Sequence, residues 1–412
     1  MAEMKPFRCI RPSEEVASKV AALPYDVYNR QEAKAVVEKN PMSFLAIDRA
    51  ETQFGDDMDL HDPAVYAKAR EMLEQWLERG TFVEDTAECY YIYELTMDGR
   101  SQTGIVGCAS IDDYVNGVIK KHENTREDKE QDRICHVDIT NAHTGPIFLA
   151  YRSDGELNRL VEKACRQECL YDFTAEDGVR HRVWRVADEA ALAGIRECFD
   201  RIPNLYIADG HHRAASAVKV GLKRRKENPG YTGTEEFNYF LSVVFPDEQL
   251  MIMPYNRVVK DLNGLDQEAF FKKISESFTV EKREQSCQPE VPHHVGMYLD
   301  GTWYEVTAKE EICPSDPVKG LDVSILQDAL LAPVLGIQDP RTDARIQFVG
   351  GIRGLGELER LVDGGEGAVA FSMYPTSIRE LFAVADAGLL MPPKSTWFEP
   401  KLRSGVFIHR LG

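Results

Sequence analysis

No stretch of the 412-residue sequence approaches the ~18 consecutive apolar residues that cross a bilayer, and the opening residues Met1–Phe7 lack the apolar core of a leader peptide. Cysteine is sparse and unpatterned. The nine are scattered, odd in number and nowhere form Cys-x-x-Cys, which excludes a disulfide framework and a zinc knuckle and fits reduced thiols in a cytoplasmic compartment. Positive charge is also short: 49 Lys+Arg against 68 Asp+Glu leaves a formal net charge of −19. Such a chain has no broad field to recruit nucleic acid or anionic lipid, although a small basic pocket for a small anion remains compatible with it. No Gly-x-Ser-x-Gly, His-Glu-x-x-His or P-loop motif occurs, and no internal repeat or low-complexity tract. Hydrophobic content of 43% with 28% charged residues excludes wholesale disorder.

What is present reads as a mixed α+β protein of two or more domains, at roughly 100–200 residues each. Asp62 as N-cap and Pro63 in the first turn predict a helix ended by Gly80, with Tyr66, Leu73, Trp76 and Leu77 on one face. Asp98-Gly99 predicts a hairpin between β-rich runs at 89–96 and 101–110. Strand and helix patterns then alternate: a buried strand near 145–151, helices over 155–169 and 188–199, and a strand over 204–208 running into a new helix. The last third predicts helices over 267–278 and 323–335, a hairpin at Asp300-Gly301, and strands at 346–349 and 368–373 each followed by a helix. The expected division is 1–260 and 261–412.

The sharpest chemical element is Ala208-Asp209-Gly210-His211-His212-Arg213, where an apolar strand meets a helix rich in alanine. Gly210 lets the backbone turn tightly, and the first helical N–H groups lack internal partners, so that with the helix dipole they attract an anion. Arg213 opposes the dipole in that first turn, which makes sense if a phosphate or carboxylate sits there. Asp209 can cap the helix, coordinate a metal or take a proton. The alternative is a capped helix with two partly buried histidines. Adjacent histidines point apart on a helix, and no third ligand stands at a usual zinc spacing.

A second element is the charge-dense run 122–136. At ~100° per residue, His122, Arg126, Lys129, Arg133 and His136 share one helical face, with Glu123, Glu127 and Glu130 beside it. That face can grip phosphates, with Glu123 holding Mg²⁺, or can be a solvated surface of paired charges. The third element is the proline-stiffened tail carrying Lys394, Thr396 and Lys401. The run from Gly350 to Gly356 follows a strand but matches neither phosphate-loop pattern.

Together, Leu23-Pro24-Tyr25-Asp26-Val27, His122-Glu123-Asn124-Thr125, Gly145-Pro146-Ile147-Phe148, the Asp209 to Arg213 box and Pro393-Lys394-Ser395-Thr396 resemble the bacterial and archaeal family catalogued as domain of unknown function 1015, some members of which are labelled ParB-like. The box is also similar to the phosphate-binding Gly-x-x-Arg of the ParB/sulfiredoxin superfamily, whose free-serine kinases read Asp-Gly-His-His-Arg. The resemblance implies a ParB/sulfiredoxin-like nucleotide-binding core with large insertions. In it Gly210, His211, His212 and Arg213 would hold nucleotide phosphates, and Asp209 would lie near the reacting hydroxyl. His211 stands where sulfiredoxin needs cysteine, which argues against peroxiredoxin repair.

Three functions follow as expectations. One is a phosphotransferase using ATP, ADP or CTP with Mg²⁺ on a small hydroxylated metabolite, with Arg213, Arg126, Lys129, Arg133, Lys394 and Lys401 as cations, Glu123 on the metal, and Asp209 or Asp26 as base. The second is a nucleotide-binding switch without catalysis. The third is a metal-dependent hydrolase built on His122, His211 and His212.

Overall fold

The Asp62 side chain accepts the Ala64 N–H and Pro63 opens the helix Pro63–Glu78, so this element starts where its capping chemistry places it. Tyr66, Leu73 and Trp76 are buried; Leu73 and Trp76 join Phe44, Leu45, Ile47 and Phe82 in an apolar cluster, while the Tyr66 hydroxyl donates to Asp132 at 3.0 Å. The computed structural model describes residues 1–412, the Asp128 side chain excepted. It divides into two units, residues 1–250 with 400–412, and residues 251–399. Among the described residues no helix is long and apolar enough to cross a membrane. The fold is mixed α+β.

In the first unit a nine-stranded mixed sheet runs in the order Ile119–Lys120, Leu205–Asp209, Ile147–Tyr151, Tyr239–Pro246, Arg100–Ser110, Tyr90–Met97, Arg180–Val186, Tyr171–Thr174, with Met4–Lys5 added beside Arg100–Ser110. The strands Ile147–Tyr151 and Tyr239–Pro246 pair in parallel, and every residue of both is buried. Both are near-continuous apolar runs, as a sheet covered on two faces requires. Leu205–Asp209 lies antiparallel to Ile147–Tyr151 and delivers Asp209 to the sheet end, where helix His211–Glu227 begins. That helix packs along helix Glu127–Thr140.

The terminal residues return to this unit. Ile408–Arg410 pairs with Cys9–Pro12 on one side and Ala142–His143 on the other. Ser404 exchanges backbone hydrogen bonds with Ala22 (2.8 and 3.2 Å), and the Gly405 N–H donates to the Thr144 carbonyl (3.2 Å). Gly405 has φ +79°, and a Cβ there would lie 2.3 Å from the Phe44 ring, so only glycine fits. Arg403 donates to Asp177 and to Nε2 of His181 (3.2 Å). A guanidinium cannot accept, so Nδ1 of His181 carries the proton and donates to the Tyr93 hydroxyl at 2.8 Å.

The second unit holds a six-stranded sheet in which every pairing is antiparallel, in the order Phe278–Arg283, Thr302–Ala308, His294–Leu299, Val369–Met373, Tyr255–Val259, Ile346–Gly350. Leu358 and Leu361 of helix Leu355–Asp363 join Val258, Tyr298, Trp303 and Ala370 in its core.

Five expectations change, the simplest being that the helix over 155–169 ends at Ala164. The helix over 122–136 starts only at Glu127: residues 121–126 run as irregular chain, and His122 is drawn into the core beside His211, which removes His122 and Arg126 from the helical face. The helix expected to reach Phe278 ends at Ile274, because Phe278 opens an edge strand of the sheet. The helix over 323–335 is an α turn, Asp322–Leu326, continued as a π turn, Gln327–Leu331. The chain divides after residue 250, and segment 400–412 folds with the first unit rather than with the residues preceding it.

Several histidines are buried and held neutral. Burial, then the nearby Arg403 charge, pushes His181 down to about 3, and burial followed by the neighbouring His409 pushes His143 well below its ordinary value. The unfolded chain binds these protons near pH 6.5 and the folded chain does not, so stability falls as pH drops from about 6.5 toward 4. Each such histidine contributes a slope of at most about 1.4 kcal/mol per pH unit. Denaturant unfolding at pH 7, 6 and 5 should show this loss, with a shallower slope in His143→Gln; a pH-independent midpoint would contradict it.

Candidate functional site

Gly210 occupies the left-handed region (φ +93°) as N-cap of helix His211–Glu227 and turns the strand into the helix within one residue. Arg213 folds back over that corner. A Cβ on Gly210 would lie 3.1–3.3 Å from three atoms of the guanidinium, so the glycine provides both the turn and the space. Nη1 of Arg213 donates to the Pro146 carbonyl at 2.6 Å, and Nη2 stands 3.8 Å from Asp209.

Asp209 is the anionic centre of this corner, its side chain 32% exposed. Oδ1 accepts the Gly210 N–H at 3.0 Å, and Oδ2 accepts from Lys401 Nζ at 3.3 Å. The first amide of the corner, expected to be unpaired, is therefore occupied by the chain's own carboxylate. Burial alone would raise the Asp209 pKa; Lys401, then Arg213, outweigh it and hold the group at about 2.

Beside this corner a narrow cavity is lined by Tyr25, Asp48, Arg133, Thr144, Arg213 and Ser404, among others. It has room for a few water-sized groups. Arg133 is buried, pairs with Asp132 at 2.8 Å and stacks its guanidinium 3.9 Å from the Tyr25 ring centre. Burial works against its charge, but Tyr25, Asp132 and Asp48 raise its pKa and keep it protonated. Asp48 accepts the Thr144 hydroxyl at 2.8 Å. A wider neighbouring cavity shares Tyr25, Asp48, Arg133 and His136, and adds Leu60, His61, Tyr66 and Lys129.

The two histidines of the box face different ways. His212 accepts the Arg126 backbone N–H at 3.0 Å. His211 is buried and meets His122 edge to face, ring centres 4.5 Å apart, with the His122 N–H directed at its Nε2 at 3.4 Å. Burial lowers both imidazoles, His122 to about 4 and His211 well below its ordinary value, His122 itself being the next cause for His211. The Ile207 carbonyl lies near enough to His122 to oppose that shift, yet neither ring nitrogen reaches a partner in hydrogen-bonding geometry. Glu123, half-buried, places a carboxylate oxygen beside these two rings.

The structure thus brings together Asp209, Gly210, Arg213 and Lys401, sets Arg133 and Lys129 in the adjoining cavities, and groups His211 with His122 and Glu123. Arg126 is exposed and touches the box through its backbone. Asp26 is exposed on the 3₁₀ turn Tyr25–Val27, and it is Tyr25 that lines the cavities. Lys394 and Thr396 belong to the second unit, where Lys394 is exposed with φ +61° and its carbonyl accepts from the buried Arg257 (3.1 Å). Sequence reasoning missed Asp48, Thr144 and Ser404. Ser404 stands three residues from Lys401 and Thr144 one residue before Gly145, so both adjoin segments already singled out; Asp48 offered no local signal.

The sequence model of a family described as "Protein of unknown function (DUF1015)" matches residues 4–324. No curated protein matches the chain. Among solved structures, a free serine kinase in complex with AMP aligns at 12% identity over 73% of this chain and 91% of that one, with a TM-score of 0.36. SbnI with C-terminal truncation from Staphylococcus aureus aligns at 12% identity over 73% and 85%, TM-score 0.37. A conserved hypothetical protein from Pyrococcus furiosus aligns at 13% identity over 74% and 94%, TM-score 0.36. Likeness at that level carries no argument about activity, which has to come from the residues themselves.

Gly210→Ala combines two costs, the left-handed backbone (about 1–2 kcal/mol for an L-residue) and displacement of Arg213. Gly178→Ala, at φ +82° with open space around it, carries only the first. Chemical denaturation should therefore find Gly210→Ala the more destabilised of the two; equal losses would mean that Arg213 does not occupy the corner.

Proposed function

The chain belongs to the DUF1015 family of proteins of unknown function, and on that premise we propose that it is a nucleotide-dependent phosphotransferase acting on the hydroxyl of a small metabolite. The observation that carries this reading is the convergence of Arg213 and Arg133 on one narrow cavity next to Asp209 and Lys401, in a chain whose overall charge is strongly negative. Phosphoryl transfer asks a protein mainly for positioned cations and an oriented nucleophile. The narrow cavity suits a terminal phosphate, with Arg213 and Arg133 as guanidinium donors and the Ser404 and Thr144 hydroxyls beside them. The wider cavity, edged by Leu60, Tyr66 and Lys129, offers room for what the phosphate is attached to.

Asp209 is ionised at neutral pH and accepts the hydrogen of a substrate hydroxyl, fixing its lone pair toward the phosphate. A loose transition state needs orientation from this group more than strong basicity, so a pKa of about 2 is compatible with the role. Lys401, already paired with Asp209, holds the carboxylate in place. The donors around Glu123, two imidazoles and one carboxylate, suit Mg²⁺ poorly, because that ion prefers oxygen ligands and retained water.

A thermal-shift series with ATP, ADP and CTP tests binding, and the nucleotide that binds is then titrated against Arg213→Ala. Losing a charge-assisted phosphate contact should cost about 1.5–3 kcal/mol, or tenfold or more in affinity. Unchanged affinity would remove Arg213 from the site. Formation of a phosphorylated product from a panel of small alcohols distinguishes the phosphotransferase from a nucleotide-binding switch, which binds without turnover.

A further inference from the structure

We propose that His122, Glu123 and His211 form a binding site for a first-row divalent transition ion of the zinc class. One ligand atom from each residue lies within 4.8 Å of the others. His122 supplies the second, independent observation. It is 2% exposed, and both of its ring nitrogens lack a hydrogen-bond partner. Leaving a buried polar group unpaired costs free energy, so a native side chain of this kind calls for an occupant. Its neighbour His211 is also buried, though less completely, and stands perpendicular to it, at an interplanar angle of 89°. Two imidazoles so placed can each direct a nitrogen lone pair at a common point without stacking.

The donor set selects the class of ion. Two neutral imidazoles and one carboxylate are the ligands of open three-residue zinc sites, and the same set suits other borderline first-row ions. Zinc bonds its nitrogen and oxygen ligands at ~2.0–2.2 Å, so its ligand atoms must stand no more than about 4 Å apart. With all three atoms within 4.8 Å of one another, side-chain adjustments of under an ångström bring them to that spacing. One carboxylate leaves the ion a net positive charge and at least one open position, beside the Asp209 to Arg213 corner. The ligands come from two places, the irregular chain after strand Ile119–Lys120 and the first turn of helix His211–Glu227. Metal binding would therefore clamp the loop to the box. The inference does not rest on the phosphotransferase reading, and nucleotide binding by chelator-treated protein tests that reading separately.

The full chain, stripped with a chelator and dialysed, is titrated with Zn²⁺ against a chromophoric competitor, and with Co²⁺ by visible absorption. The expected result is one equivalent bound per chain, undisplaced by excess Mg²⁺, with no thiolate-to-cobalt charge-transfer band. His122→Gln and Glu123→Gln should each weaken Zn²⁺ binding by at least about 100-fold, because losing a direct ligand exceeds the roughly 10–100-fold cost of losing an outer-shell partner. Glu123→Gln is half-buried and isosteric, so it retains the fold, checked by circular dichroism, even where His122→Gln does not. Absence of binding, variants that bind like the parent chain, or a thiolate band showing that cysteines hold the ion would each overturn the site.

Discussion

A carboxylate at the end of a buried strand must be compensated or it loses its charge, and at Asp209 the compensation comes from two directions. Arg213 reaches back from the first turn of the helix that follows, and Lys401 arrives from the chain terminus. Burial pushes the Asp209 pKa one way and the two cations push it the other; the cations win. The side chain is about one-third exposed, so solvent screens these pairs, and their worth lies below that of a fully buried ion pair. What the arrangement secures is geometry: an ionised carboxylate, an ammonium and a guanidinium held at one glycine corner.

Lys401 is in reach because the segment that follows it, residues 403–405, is pinned to the first unit. Arg403 is tied to Asp177 and His181, Ser404 to Ala22, and Gly405 to Thr144 under the Phe44 ring. Ser404 enters the narrow cavity by the same route. The terminal strand, the hairpin at Asp177-Gly178 and the Leu23–Val27 turn are thereby coupled to the box, although they are far apart in sequence. The two adjacent histidines divide the box further: about 100° of helical rotation separates them, so His211 turns inward to His122 while His212 meets the backbone of Arg126.

Elements with local chemistry were legible from sequence. Asp62-Pro63 placed a helix start, Asp98-Gly99 and Asp300-Gly301 placed hairpins, and the apolar run into Asp209-Gly210 placed a strand, a turn and a helix. Those features depend on caps, positive φ and alternation within a few residues. What depended on distant packing was not legible. The periodicity of 122–136 suggested a continuous helix, but burial of His122 against a residue 89 positions away overrides it. The same long-range contact groups His211 with His122 and Glu123 rather than with His212, the neighbour that the sequence alternative had paired with it. Lys401 was expected beside Asp209 only as a phosphate-binding cation of the basic tail; that it pairs with the carboxylate itself depends on a strand near the end of the chain, which local sequence does not register.

The central claim, that Lys401 and Arg213 together hold Asp209 ionised against burial, is tested most directly by titrating the carboxyl carbon of Asp209 by NMR in the parent chain and in Lys401→Met. The account predicts a pKa of about 2 in the parent, rising in the variant toward or above the ordinary ~3.9 of an aspartate. An ordinary value in the parent, or a low value untouched by the loss of Lys401, would contradict it.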